Sequence, residues 1–188
     1  MATWRKWLAI GLGVTLGVPA LLCAGTGLAG LAVDGDVNLE AEEHLDVPPE
    51  RLYDLLDDAD GIARWWGRMM EKSAPEGAPA MTIAAQPGAP AAGVGAKVDF
   101  VAAGMTAETW TILALEAPGK VVYDIDFKIM RVERTITLMP ETGGTRVRWT
   151  EKGTIGNPWI RLMSMGGHED VVANFHLAIQ AMGEAAGS

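Results

Sequence analysis

The stretch Arg131–Ile155, RVERTITLMPETGGTRVRWTEKGTI, decides the fold. In its first half Val132, Arg134, Ile136 and Leu138 alternate with Glu133, Thr135 and Thr137; in its second, Val147, Trp149 and Glu151 alternate with Arg148 and Thr150. A period of two is that of a β-strand with one buried face. Pro140-Glu-Thr-Gly-Gly144 supplies turn-forming residues between the halves, so Arg131 to Met139 and Thr145 to Ile155 fold back as a hairpin. Pairing Leu138 with Val147 sets Ile136 against Trp149 and Arg134 against Glu151. An ion pair then lies on the apolar face, where a charge without a partner is strongly disfavoured and a guanidinium offers a planar fork to a carboxylate. A slip of one residue would carry both to solvent.

The same period extends upstream. Val121, Tyr123, Ile125 and Phe127 share one face of a strand, against Val122, Asp124 and Asp126. Pro118-Gly119 turns that strand back on Thr106 to Leu115, which is rich in Thr, Trp, Ile and Leu. Lys97–Val101 and Met81–Ala84 are shorter strands around the Pro/Gly/Ala loop Gln86 to Gly95, and Ser73 to Ala80 is a second such loop. Val37, Leu39 and Ala41 alternate with polar residues in a first strand that ends at Pro48-Pro49. Seven antiparallel strands joined by short links result.

Helical spacing interrupts the strands twice. Pro49 suits the first turn of a helix whose apolar face is Leu52, Leu55 and Leu56, running to Asp57, and a second short helix after Asp60-Gly61 carries Ile62, Trp65, Trp66 and Met69. Past Asn157-Pro158 a short helix near Trp159 to Met163 precedes a long one from about Glu169 to Ala186. Val171, Val172, Phe175, Ile179 and Met182 give the long helix an apolar stripe, and the sheet is the surface available to cover it. The expected class is α+β.

The chain has 188 residues. Its beginning differs from the rest: Arg5 and Lys6 precede Trp7 to Val33, a run without charge, long enough at 1.5 Å per residue to cross about 30 Å of hydrocarbon. Residues 1–33 are therefore expected to be a membrane anchor or signal segment and 34–188 one domain. The positive flank places the amino terminus in the cytoplasm and the domain outside, single-pass if the segment stays and secreted if it is cleaved. Lipidation at Cys23 is a weaker alternative, because Leu22 stands where a small residue is needed. Two of the 15 basic residues and none of the 24 acidic ones precede Asp34, so the domain carries −11, which argues against nucleic acid and against adhesion to anionic headgroups. Cys23 is the single cysteine, so the domain relies on packing without an internal disulfide.

The order strand, two short helices, six strands and a long closing helix resembles the helix-grip fold of the START-like, or SRPBCC, superfamily. The patterns that carry the resemblance are Val47-Pro-Pro-Glu-Arg-Leu-Tyr-Asp-Leu-Leu56, Ala63-Arg-Trp-Trp66, Arg134-Thr-Ile-Thr-Leu138 with Gly144-Thr-Arg-Val-Arg-Trp-Thr150, and Asn174-Phe-His-Leu-Ala-Ile179. They look like the branch of polyketide cyclases/dehydrases and lipid-transport proteins, with the membrane segment and the Gln86 to Gly95 loop as departures. The resemblance implies a curved sheet wrapped around the last helix, with a cavity between them that holds apolar molecules and in some members supports chemistry. Fold alone does not select between those uses.

On that arrangement the candidate cavity lining is Trp65, Trp66, Met69, Phe100, Trp110, Tyr123, Ile125, Phe127, Arg134, Ile136, Trp149, Glu151, Phe175 and Ile179. Broad Trp and flexible Met surfaces suit varied apolar ligands, and they equally suit an irregular core. Arg134 and Glu151 would orient a polar group of the ligand, or would simply satisfy each other at the end of the barrel. Three functional readings stay open. The first is membrane-tethered binding or transfer of an apolar small molecule or lipid. The second is a cyclase- or dehydrase-like enzyme, with Glu151, Tyr123 and His176 as weak candidates for acid and base. The third is a ligand-free interaction module. No pair among the three histidines has metal-ligand spacing, no phosphate loop or nucleophile elbow is present, and neither metal nor cofactor is expected.

Overall fold

The hairpin comes out as β6 (Arg131–Glu141) and β7 (Gly144–Thr154), paired with Leu138 against Val147, Ile136 against Trp149 and Arg134 against Glu151. The computed structural model describes residues 35–73, 80–128, 130–164 and 168–188. The expected connection of five residues is shorter in fact: Pro140 and Glu141 remain in the strand and Thr142-Gly143 makes the turn, with Gly143 at φ +88°. Pro140 is admissible there because the strand on its other side reaches only as far as Thr137, so no ladder bond needs its missing N–H.

The other strands are β1 (Asp36–Leu45), β2 (Met81–Ala85), β3 (Lys97–Ala102), β4 (Met105–Glu116) and β5 (Lys120–Asp126). They form one seven-stranded antiparallel sheet in the order β1-β7-β6-β5-β4-β3-β2. The register steps between Phe100 and Val101 on β3, leaving Ala107 of β4 unpaired there, and again between Ile112 and Ala114 on β4 itself. Each bulge adds local twist and bends the strand, so β4 is where the sheet curls. Alternation holds across the concave face, on which Val121, Tyr123 and Ile125 of β5, Val132, Arg134, Ile136 and Leu138 of β6, and Val147, Trp149 and Glu151 of β7 are all buried.

Two helices lie between β1 and β2. The first, α1 (Pro49–Tyr53), is shorter than the expected run to Asp57. Leu55 and Leu56 are buried, but their amides bond the carbonyls three residues back, Leu52 and Tyr53, so the apolar spacing belongs to a tightened turn. The second, α2 (Ala59–Ser73), begins one turn earlier than its apolar pattern because Asp58 Oδ1 accepts from the Gly61 amide at 2.6 Å and caps it. The long helix α4 (His168–Gly187) packs chiefly on α2 and β1, burying Phe175, Ala178, Ile179, Ala181 and Met182. A strand-helix-helix-strand order with a helix across the sheet is thus realised over 36–154 and 168–188.

Gly35 and Ile155–Ser164 belong to a second compact unit. In it Ile155 donates to the Gly35 carbonyl at 2.7 Å, and Asn157 Oδ1 accepts from Trp159 N at 2.9 Å to start α3 (Pro158–Ser164). The segment Trp7 to Val33 and residues 74–79 of the loop Ser73 to Ala80 lie outside the described residues. Among the described residues no helix is long and apolar enough to cross a membrane.

Candidate functional site

Register determines what surrounds the buried ion pair. Leu39, Glu151, Arg134, Tyr123 and Ile112 are successive cross-strand partners from β1 to β4, one row across the concave face. In the neighbouring rows Trp149 is flanked by Ala41 and Ile136, and Trp110 by Val98 and Ile125. Arg134 therefore rises between two indoles, with Cζ 4.2 Å from the Trp110 ring centroid and 4.6 Å from that of Trp149. Its Nε donates to Glu151 Oε1 at 2.6 Å, and its Nη2 contacts the same oxygen. Both residues are 4% exposed, so this pair has lost nearly all hydration and is held by its own charge and by the ring faces.

Helix α2 adds Trp65 and Trp66. Trp65 lies 6.0 Å from Trp149 and 6.1 Å from Trp110 between ring centroids, and Trp66 lies 4.9 Å from Phe100 and 5.5 Å from Trp110. From α4, Phe175 stacks on Trp149 at 5.3 Å, and Tyr123 meets Trp110 edge-on at 5.4 Å. These spacings are those of aromatic pairs in contact. The rings predicted to line a common space thus close on one another around Arg134. Met69, Ile125, Ile136 and Ile179 are buried, whereas Trp66 is half-buried and Phe127 is half-buried beyond the end of β5.

The three weak acid–base candidates are separated. Glu151 is in the ion pair. Tyr123 donates its hydroxyl to the Leu56 carbonyl at 2.5 Å, and burial pushes its ionisation far above the ordinary range, so the phenol braces the turn after α1. His176, half-buried on α4, has Nδ1 2.7 Å from Glu43 Oε1 on the edge strand β1, and Gln180 reaches the same carboxylate at 3.4 Å.

Sequence reading passed over Glu108. It is 7% exposed and sits on the concave face opposite Phe100, two residues from Trp110. Burial pushes its carboxyl up, opposed by the Arg134 charge and the Trp110 indole N–H, while the Glu151 charge pushes it further up. Its parity with Trp110 and Ile112 was the available signal; the polar run Thr106-Ala107-Glu108-Thr109 reads instead as an exposed strand start.

Residues 36–182 match the family model described as polyketide cyclase / dehydrase and lipid transport. The chain belongs to this family. Solved structures of the same fold include a protein from Chromobacterium violaceum (19% identity, 79% of this chain and 96% of that one, TM-score 0.57). A protein of unknown function from Staphylococcus aureus is 18% identical over 81% of this chain and 94% of that one, with a TM-score of 0.60. The Aha1 dimer from Colwellia psychrerythraea is 15% identical over 80% and 96%, with a TM-score of 0.53. At these identities the likeness establishes the fold. No curated protein matches the chain. Family and architecture together support a helix-grip ligand-binding domain for apolar molecules.

Proposed function

We propose that this protein binds an apolar small molecule or lipid between the concave face of its sheet and helix α4, close to a membrane to which Trp7 to Val33 tethers it, and passes the molecule between bilayer and domain. The observation that carries the reading is the aromatic cluster itself. Trp65, Trp66, Phe100, Trp110, Trp149 and Phe175 gather a broad apolar surface from the concave face of the sheet, α2 and α4. Because the rings touch, a ligand enters by parting them, and the flexible buried side chains of Met69 on α2 and Met182 on α4 adapt to what enters. The uncharged amino-terminal run supports tethering, since a molecule of low aqueous solubility then has a short path.

The full chain, purified in mild detergent and examined by native mass spectrometry, is expected to carry an apolar molecule that is released on denaturation. A spectrum of the bare chain, after incubation with total lipid extract, would refute the reading. Membrane fractionation tests the tether separately: the full chain is expected in the membrane fraction, and a chain lacking residues 1–33, which loses its export signal with the anchor, in the soluble fraction of the cytoplasm.

One observation favours a second reading, a cyclase- or dehydrase-like proton transfer. Glu108 is a buried carboxyl beside a cation, and burial makes it hold its proton to higher pH than an ordinary carboxyl, as a general acid must. Under that reading Glu108→Gln keeps binding and loses turnover of the co-purifying molecule.

A further inference from the structure

Four N–H groups in the aromatic cluster are shut off from solvent without a hydrogen-bond acceptor, Nε1 of Trp65, Trp66 and Trp149 and Nη1 of Arg134, while Trp110 Nε1 has the Glu108 carboxyl beside it. Their rings are neighbours, with Trp65 5.4 Å from Trp66 and the Arg134 guanidinium between Trp110 and Trp149, so these donors occupy one region. A buried donor left unpaired is destabilising, because it has given up water for nothing. Native proteins leave only a few such groups per hundred residues, and here they are concentrated in one place. A region whose buried donors outnumber the acceptors that meet them is complementary to a molecule that supplies acceptors.

Charge decides which acceptor. The Arg134 cation is already matched by Glu151 at 2.6 Å. Glu108, the other carboxyl beside it, is held toward its uncharged form by burial. The region is therefore balanced without a ligand, and a carboxylate entering it would be an unmatched buried anion. A carbonyl oxygen offers two lone pairs and no net charge.

We infer that the ligand of this site is an apolar molecule carrying a neutral carbonyl oxygen, such as a ketone, quinone or ester, and that it is selected over the carboxylic acid of the same shape. This rests on the apolar-ligand reading and adds the chemistry of the polar end. The carbonyl accepts from the indole N–H groups and Arg134 Nη1, while the rings hold the apolar body.

The test compares three probes of one size: methyl naphthoate, naphthoate at neutral pH and propylnaphthalene. Each is titrated against the full chain in detergent by tryptophan fluorescence, with its partition into empty micelles subtracted. The ester is expected to bind about tenfold more tightly than the hydrocarbon, the size of effect that one or two hydrogen bonds give, and at least about tenfold more tightly than the acid anion. Trp149→Phe keeps a ring and removes one N–H, and should cut the ratio of ester to hydrocarbon affinity severalfold, a ratio that a change in ring size shared by both probes does not move. Glu151→Gln frees the Arg134 charge and should turn the preference toward naphthoate. Equal binding of the three wild-type probes, as buried water satisfying the donors would give, overturns the carbonyl inference and leaves the apolar-ligand reading standing. Tighter binding of naphthoate does the same. Binding of none of them, the hydrocarbon included, overturns both.

Discussion

At position 134 an arginine occupies a strand face whose other members, Val132, Ile136 and Leu138, are all aliphatic, and it does so because Glu151 is its cross-strand partner. Removing one member leaves the other charged and buried, so Glu151→Gln or Arg134→Met alone should destabilise the domain by about 3–5 kcal/mol. The double replacement Arg134→Met with Glu151→Leu should lose much less than the sum, which a denaturant-unfolding double-mutant cycle will read directly. Tyr123 calls for a smaller effect. Tyr123→Phe keeps the ring against Trp110 and strips the Leu56 carbonyl of its donor, for an expected loss of about 1–2 kcal/mol in the same assay. Glu108 gives a pH signature. Its folded value is raised above the ordinary 4.5, so its contribution is fully present below 4.5 and is lost as pH rises through the folded value. Glu108→Gln, which cannot ionise, should therefore gain stability relative to the wild type as pH rises from 4.5 to the folded value and hold that gain above it.

Among the elements, the β3–β4 hairpin carries a local conflict. Its two-residue turn puts Ala103 at φ 51° and Gly104 at φ 77°, and a left-handed alanine is strained where asparagine is tolerated. Ala103 is exposed and its side chain is not needed for packing. Ala103→Asn should raise the unfolding midpoint, by about 0.5–1 kcal/mol equivalent, without altering ring packing seen by near-ultraviolet circular dichroism. Helix α2 has the opposite character, since its start depends on one side chain. Asp58→Ala removes the acceptor for the Gly61 amide and should cost about 1 kcal/mol. Gly61 itself must stay small: a Cβ there would lie 2.8 Å from the Leu55 backbone, in the turn that Tyr123 braces.

Over the whole molecule two sets of carboxylates respond to acid in opposite senses. On the solvent face of β1, β6 and β7, Glu42 and Glu141 are held below their ordinary values by hydrogen bonds from Arg146, with Arg148 adding to Glu42 and His44 to Glu141. Their support is present above their ordinary 4.5 and fades as pH falls through the depressed folded values. These groups are exposed and each is individually minor. The concave face carries Glu108 with the reverse dependence, so acid weakens the outer ladder while relieving the interior. An Arg146→Ala variant should therefore lose part of the acid-side slope of unfolding stability, and Glu108→Gln part of the slope above it.

Much of the concave face is legible in the sequence because a period of two leaves no freedom once one pair is fixed: Leu138 against Val147 sets Arg134 opposite Glu151 and Ile136 opposite Trp149. The seven strands and the long closing helix followed from the same spacing and from Pro and Gly at the breaks. Other features required the folded chain. Leu55 and Leu56 have helical spacing yet sit in a tightened turn, since amide geometry and not apolar pattern ends a helix. Glu108 was hidden by polar sequence neighbours that share its strand but not its face. That Trp65 and Trp66 would meet Trp110, Trp149 and Phe100, and that their N–H groups would find no acceptor, depends on how α2 docks across the sheet. Local periodicity assigns a residue to a face, but only tertiary docking decides which faces meet and which polar atoms are left without a partner.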